Sequence, residues 1–295
     1  MLLLISPMNE NEDLKPIFDH VAEKNNFQTD NITRLTGGSI NDVFLIITLS
    51  SEKFVIKLNS FNKFPGMFTA EKTGLKILKK AGNIDVPKVF DIGEFKSKAY
   101  LLLEYKASAK STENFWDLFG KQLAGLHKNT ASKFGLENNN YIGSLPQQNN
   151  FCSTPAEFYI SQRLEPQLKL AKDKHYDLQI SENFFRNISE IIPRESPSLI
   201  HGDLWNGNYL VNSYGNPCLI DPAICYAPRE MDLAMMKLFG GFNHQVFESY
   251  HNEFPLSTGF EERIPLWQLY YLLVHLNLFG TFYKSEVMGI IKRFG

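Results

Sequence analysis

A chain of 295 residues is long enough for two core-bearing units, and 43% hydrophobic with 21% charged residues are the proportions of an ordinary folded protein. A formal net charge of −2 removes the electrostatic case for nucleic acid or an anionic membrane as partner, while a small anion needs only a local positive site. The three cysteines, Cys152, Cys218 and Cys225, contain no Cys-x-x-Cys, which excludes a disulfide framework or zinc knuckle and fits reduced thiols in a cytoplasmic protein.

In chain order, Leu2-Leu3-Leu4-Ile5 is apolar but too short for a secretory signal and lacks a basic flank, and no role is assigned to it. From Asp13 to Lys24, the residues Leu14, Ile17, Phe18 and Val21 recur at helical spacing and predict a short amphipathic helix. Ile32 to Thr36 reads as a strand, Val43 to Leu49 as its return, and Gly37-Gly38-Ser39-Ile40-Asn41 as the turn between them. Two adjacent glycines let backbone N–H groups approach a phosphate, although a plain hairpin turn has the same signature. Lys53 to Leu58 is a third strand, with Lys57 set inside an apolar run. A half-buried lysine is costly unless its charge meets a partner, so Lys57 is either an edge residue facing water or half of an ion pair. Glu71, in a helix expected over Ala70 to Lys80, is the natural partner. A strand lysine held by a helix glutamate is the device that aims a cation at ATP phosphates.

Val86 to Gly93 and Ala99 to Tyr105 form a further hairpin, which completes a small antiparallel β unit. The small and polar stretch Lys106 to Ser111 marks its end, giving an N-terminal unit over 1–105 and a C-terminal unit over 106–295. Beyond it Phe115, Phe119, Leu123 and Leu126 share one helical face, with Thr112 as candidate N-cap and His127 as a core or helix-end residue. Tyr141 to Asn150 is rich in amides and reads as a solvated connector or as part of a sugar pocket. Phe158 to Leu170, containing Arg163, and Asn183 to Ile192 are helical. The brief strand Ser198 to Ile200 then leads into His201-Gly202-Asp203-Leu204-Trp205-Asn206-Gly207-Asn208. A hairpin of Tyr209 to Asn212 and Pro217 to Ile220 follows and delivers Asp221 to the same mouth as Asp203. Next comes a helix with Glu230 and Asp232 in its first turn. Leu266 to Tyr283 is apolar but broken by Gln268, His275 and Asn277, which favours a buried helix over a membrane span.

An Asp followed five residues later by an Asn, with a second Asp eighteen residues after the first, is the spacing of a phosphoryl-transfer site. In that chemistry Asp203 orients and deprotonates an acceptor hydroxyl. Asn208 and Asp221 offer a neutral and an anionic oxygen, both suited to Mg²⁺. His201 is expected to brace the loop, because a base there would duplicate Asp203. Trp205 is either a core tryptophan or an aromatic face for a sugar or amine.

With these motifs in place the chain resembles the fructosamine kinase (ketosamine-3-kinase) family, on the aminoglycoside-phosphotransferase branch of the protein-kinase-like fold. The resemblance spans roughly Ile32 to Tyr283 and is carried by Gly37-Gly38-Ser39-Ile40-Asn41, Tyr141 to Asn149 and Arg163-Leu164-Glu165-Pro166-Gln167-Leu168. It is carried further by Asp221-Pro222-Ala223, Arg229 to Ala234, and Tyr270 to Gly280. It implies an α+β, bilobal fold with a small antiparallel β-rich N-lobe and a larger, mainly helical C-lobe. It also implies ATP- and Mg²⁺-dependent phosphorylation of the 3-hydroxyl of a fructosamine or ribulosamine, after which the adduct breaks down and releases its amine. On this mapping Gly37, Gly38, Ser39, Lys57, Glu71 and backbone near Glu104 hold ATP, Asp203 is the base, Asn208 and Asp221 bind the metal, and Trp205 meets the sugar. A free or protein-bound ketosamine is then the partner, with no nucleic acid or membrane, and the protein is expected as a monomer or weak dimer.

Two departures stand out. Ser39 occupies the region where some relatives carry a redox-sensitive cysteine, and Pro222-Ala223 replaces the Phe-Gly that follows the metal-binding Asp of protein kinases. The rival readings are another acceptor (an aminoglycoside, choline or homoserine) and a nucleotide-binding pseudokinase. A two-metal hydrolase lacks the ligands it would need.

Overall fold

The computed structural model describes residues 14–35 and 40–295. The Gly37-Gly38-Ser39 turn and Leu2 to Ile5 therefore lie outside the described residues. Helix α1 (Lys15–Lys24) is followed by β1 (Thr29–Leu35), β2 (Asp42–Thr48) and β3 (Lys53–Ser60), then α2 (Met67–Ala81), β4 (Val89–Phe95) and β5 (Lys98–Glu104). The five strands form one antiparallel sheet in the order β1-β2-β3-β5-β4. Strand alternation sorts its faces. Phe44, Ile46, Ile56, Leu58, Tyr100 and Leu102 pack against Ile17, Phe18 and Val21 of α1. Leu101 and Leu103 point the other way and join Phe68, Leu75 and Leu78 of α2 in a core that continues into the C-terminal half. β3 is the central strand, so Lys57 is not an edge lysine: it is buried on the α2 face, in register with Val43 and Leu101.

The rest is mainly helical: α3 (Phe115–His127), α4 (Pro155–Phe158), α5 (Glu165–Asp173), α6 (Phe184–Ile191), α7 (Glu230–Leu238), α8 (His244–Glu253), α9 (Phe260–Phe279) and α10 (Lys284–Phe294). Three two-stranded ribbons sit among them: β6 (Asn140–Ile142) with β7 (Leu145–Gln147), β8 (Ser198–Ile200) with β11 (Cys225–Ala227), and β9 (Tyr209–Val211) with β10 (Pro217–Leu219). The expected face of α3 is buried as one set, Phe115, Phe119, Leu123 and Leu126. Thr112 does not cap it. The helix starts after Asn114 without a side-chain cap, and the Thr112 hydroxyl instead donates to Gly215 O at 3.3 Å.

The helix expected from Phe158 begins earlier, at Pro155, and runs as a π-helix over Tyr159–Leu164. That wider turn seats Arg163, which donates to Gln148 O (2.6 Å), Asn149 Oδ1 (2.7 Å) and Cys225 Sγ (3.1 Å). The amide-rich segment folds as the β6–β7 hairpin and its exit. Gln147 and Asn149 turn inward, both donating to Asn140 Oδ1, and Tyr270 Oη donates to Gln147 Oε1 at 2.5 Å. Gln147 and Asn149 thus hold the C-terminal half together and are not part of a solvated connector, while Tyr141, Ile142 and Gly143 of the same segment line the larger cavity described below. α9 is the buried helix its composition suggested, and no helix among the described residues is long and apolar enough to cross a membrane.

Candidate active site

β8 runs out into His201–Asn208, and the loop is pinned from below by Asp232 of α7. The N–H groups of His201 and Gly202 donate to the two Asp232 carboxylate oxygens at 2.7 and 2.8 Å. Asp232 is fully buried and also meets His127 Nε2 at 3.2 Å. Gly202 has φ +83°, and a Cβ there would lie 2.2 Å from Ala223 O, so only glycine fits the turn. His201 is saturated. Its Nε2 donates to Ile220 O (2.9 Å) and its Nδ1 accepts from the Asp203 N–H (3.3 Å). Burial lowers its pKa and favours the neutral ring, and with both ring nitrogens engaged it has no free lone pair to serve as a base, so it braces the loop.

Asp203 is joined to Asn208 across the turn. Asn208 Nδ2 donates to Asp203 O (2.8 Å) and Oδ2 (3.1 Å), which leaves the amide oxygen as the atom suited to a cation. Burial first, and then the negative charge of Asp221, push the Asp203 carboxyl up to about 7, against the hydrogen bond from Asn208. Asp221 follows β10 with φ +55°, a left-handed conformation that costs a non-glycine residue energy and is typical of functional turns. Its carboxylate meets Lys57 Nζ, which also donates to Glu71 Oε1 at 2.6 Å. Burial works against the lysine charge, but Asp221 and Glu71 overcome it and hold the Lys57 pKa above its ordinary value. Strand, helix and loop thus converge on one buried ammonium.

Two cavities meet here. One of about 340 Å³ lies between the sheet and the β9–β10 ribbon, lined by Val55, Leu75, Leu103, Glu104, Lys106 and Leu210 among others. The other, of about 440 Å³, extends toward α7 and α9. Lys57, Glu71, Trp205, Asn208 and Asp221 line both, and Asp203 lines only the larger. Trp205 is 36% exposed, so it is not a core tryptophan, and its ring covers Gly207, where a Cβ would meet it at 2.3 Å. The Glu104 side chain, at the wall of the smaller cavity, accepts from Lys88 N (2.9 Å) and meets Lys106 Nζ (3.1 Å). Gly37, Gly38 and Ser39 are outside the described residues, but the adjoining Ile40 and Asn41 line the larger cavity.

Among the described residues no group of three His, Cys, Asp or Glu side chains could cage a metal unaided. Asn208 and Asp221 instead offer two hard oxygens at the junction of the cavities. That donor set fits Mg²⁺, an ion that retains waters and takes its other oxygens from phosphates.

Sequence reasoning missed three contributors. Asp232 looked like an ordinary first-turn acid, although two acidic residues opening a buried helix were a signal of a second task. Asp85 ties the two halves together: Lys106 Nζ (3.0 Å) and Asn212 Nδ2 (2.9 Å) reach its carboxylate, and Leu219 N donates to its carbonyl (2.8 Å). The third is the aromatic end of the larger cavity, where Phe239, His275 and Phe279 gather from the ends of α7 and α9.

Comparison with known proteins gives a consistent result. The family model described as fructosamine kinase matches residues 15–294. A probable ketoamine kinase of Enterococcus faecium is 38% identical over 266 residues, covering 88% of this chain and 94% of that one. The chloroplastic protein-ribulosamine 3-kinase of Arabidopsis thaliana is 35% identical over 272 residues, covering 90% and 82%. The crystal structure of a provisionally named fructosamine-3-kinase from Haemophilus somnus superposes with a TM-score of 0.83 at 27% identity, covering 94% of this chain and 96% of its own.

Proposed function

Because the chain belongs to the fructosamine kinase family, we propose that it transfers the γ-phosphoryl group of ATP to the 3-hydroxyl of a ketosamine, a fructosamine or ribulosamine adduct. The observation that carries this reading is the junction of the two cavities. The smaller is walled by aliphatic residues of the sheet and of β9–β10, as a nucleotide base requires, and the larger alone opens onto Asp203. A nucleotide and an acceptor can therefore approach the same few atoms from opposite sides.

Lys57, kept charged and aimed by Glu71, neutralises phosphate oxygens. Asn208 and Asp221 would hold Mg²⁺, which when bound spreads the charge of the β- and γ-phosphates. Asp203 orients the acceptor hydroxyl and takes its proton. Trp205, set between the cavities, offers its face to the sugar ring. His201 and Asp232 touch no reactant and only fix the loop. The 3-phosphate then destabilises the adduct, so that the amine is released. We place the boundary between the lobes at 105/106, and the three buried free thiols suit a reducing, ATP-supplied compartment such as the cytoplasm. The protein is taken to act as a monomer or weak dimer.

ATP consumption across ribulosamine and fructosamine adducts, kanamycin and choline, each with and without Mg²⁺, tests this reading. Mg²⁺-dependent turnover of the ketosamines alone is expected. Good choline or kanamycin turnover with none on any ketosamine would overturn it. A polycationic acceptor is disfavoured because the acidic lining of the larger cavity, among the described residues, is Glu71, Asp203 and Asp221, all at its catalytic end.

A further inference from the structure

The larger cavity is chemically divided. At one end stand the charged groups just named, and at the other Phe239, His275, Leu278 and Phe279 form a wall of rings and methyl groups. The rings touch in sequence: Phe239 to His275 at 4.8 Å between centroids and His275 to Phe279 at 5.4 Å. Burial lowers the pKa of His275, against the hydrogen bond that its Nδ1 donates to Tyr271 O (2.8 Å), and so favours the uncharged ring in this wall. The row continues outward through Tyr283, 5.1 Å from His275, to Phe282, which is 88% exposed. Phe279 is itself 58% exposed. Large rings left in water at the mouth of a polar site are a cost unless something covers them.

A ketosamine has one polar end, the sugar, and one end set by its amine. If the 3-hydroxyl lies at Asp203, the hydroxyl-rich end occupies the charged part of the cavity and the amine substituent extends toward the rings. Resting on the function proposed above, we infer that the Phe239–His275–Phe279 wall is the subsite for the hydrocarbon part of that substituent. The enzyme accordingly selects adducts whose amine presents an uncharged stem. The four-carbon side chain of a lysine within a peptide is such a stem, whereas an adduct that places a carboxylate against the rings is disfavoured, because an unpaired charge is expensive to desolvate there.

The test compares kcat/KM for three ribulosamines differing only in the amine: methylamine, n-hexylamine and 6-aminohexanoate. The hexylamine adduct is expected to exceed the methylamine adduct about tenfold, the worth of burying about two methylenes of its longer stem against a half-exposed wall. It should also exceed the 6-aminohexanoate adduct by about tenfold, while Phe279→Ala and Phe239→Ala each draw the hexyl-to-methyl ratio toward one. Because that ratio is internal to each protein, a general loss of activity or stability does not imitate the effect. Equal kcat/KM for methyl and hexyl adducts, equal values for the hexyl and carboxylate adducts, or a ratio indifferent to both substitutions would each overturn the subsite while leaving the kinase reading intact. Failure to phosphorylate any of the three adducts would instead remove the function on which it rests.

Discussion

Asp203 must be an anion to accept a proton, yet it sits where an anion is costly. Burial and the neighbouring Asp221 raise its carboxyl from 3.8 to about 7, so the folded protein retains a proton that the unfolded chain gives up near pH 4. With more protons bound in the folded state, stability falls as pH rises from about 4 to about 7 and is flat above. Removing the charge therefore has two opposite effects. Asp203→Asn should lower kcat by about 10²- to 10⁴-fold, the range for loss of a general base. The same change should make the metal-free protein more stable than the parent at pH 8, by about 1–2 kcal/mol, with the gain shrinking toward pH 4. Urea unfolding in EDTA at pH 5 and pH 8, alongside ATP consumption, checks both halves. A variant less stable than the parent at pH 8 would show that Asp203 is a structural anion and not a strained catalytic one.

At the scale of elements, the loop that carries Asp203 owes its shape to the first turn of α7. Asp232 supplies two acceptors to two loop N–H groups, and an asparagine can replace only one of them while turning an N–H toward the other donor. Asp232→Asn should cost about 2–3 kcal/mol of stability, the penalty for a buried donor left unpaired. It should also lower kcat with little change in KM for ATP, because Lys57 and the smaller cavity are untouched. A parallel rise in KM would place the damage elsewhere. The same helix shows what a sequence conceals. β2, β3 and β5 were legible because apolar runs of six or seven residues bounded by turns leave few alternatives, and Lys57 was legible as the one cation inside such a run. The meeting of Asp203, Asn208 and Asp221 at one cavity was legible because it depends on spacing within two adjacent turns. The π-helical Tyr159–Leu164 was not, since it is set by what Arg163 reaches in Gln148, Asn149 and Cys225, none of them local. The inward turn of Gln147 and Asn149 was hidden for the same reason: besides Asn140 of their own hairpin, their partners Arg163 and Tyr270 come from two other elements. Thr112 failed as a cap because a carbonyl at Gly215, distant in sequence, took its hydroxyl.

Across the whole molecule, few polar contacts tie the sheet unit to the helical part around the cavities. Lys57 meets Asp221, Lys106 and Asn212 reach Asp85, and Tyr141 Oη donates to Pro65 O at 2.8 Å. A ligand lodged between Lys57 on one side and Asn208 with Asp221 on the other adds a bridge of its own, and it binds only while both halves are folded. Such a ligand stabilises by mass action, about 2.7 kcal/mol at a hundredfold its Kd, and in a protein of this size each kcal/mol moves Tm by roughly 2–4 °C. Mg²⁺ with ATP at that excess should raise Tm by about 5–10 °C. ATP with EDTA should give a smaller shift at the same concentration, because the triphosphate then faces Asp221 with no cation between two negative groups. Asn208→Ala removes one of the two oxygens proposed to hold the metal and should abolish most of the Mg²⁺-dependent increment while leaving the shift in EDTA largely in place. Scanning calorimetry of the two proteins under the two conditions separates the contributions. An increment equal in both proteins would mean that the cation is held by the nucleotide alone and that the turn carrying Asn208 serves only to support Asp203.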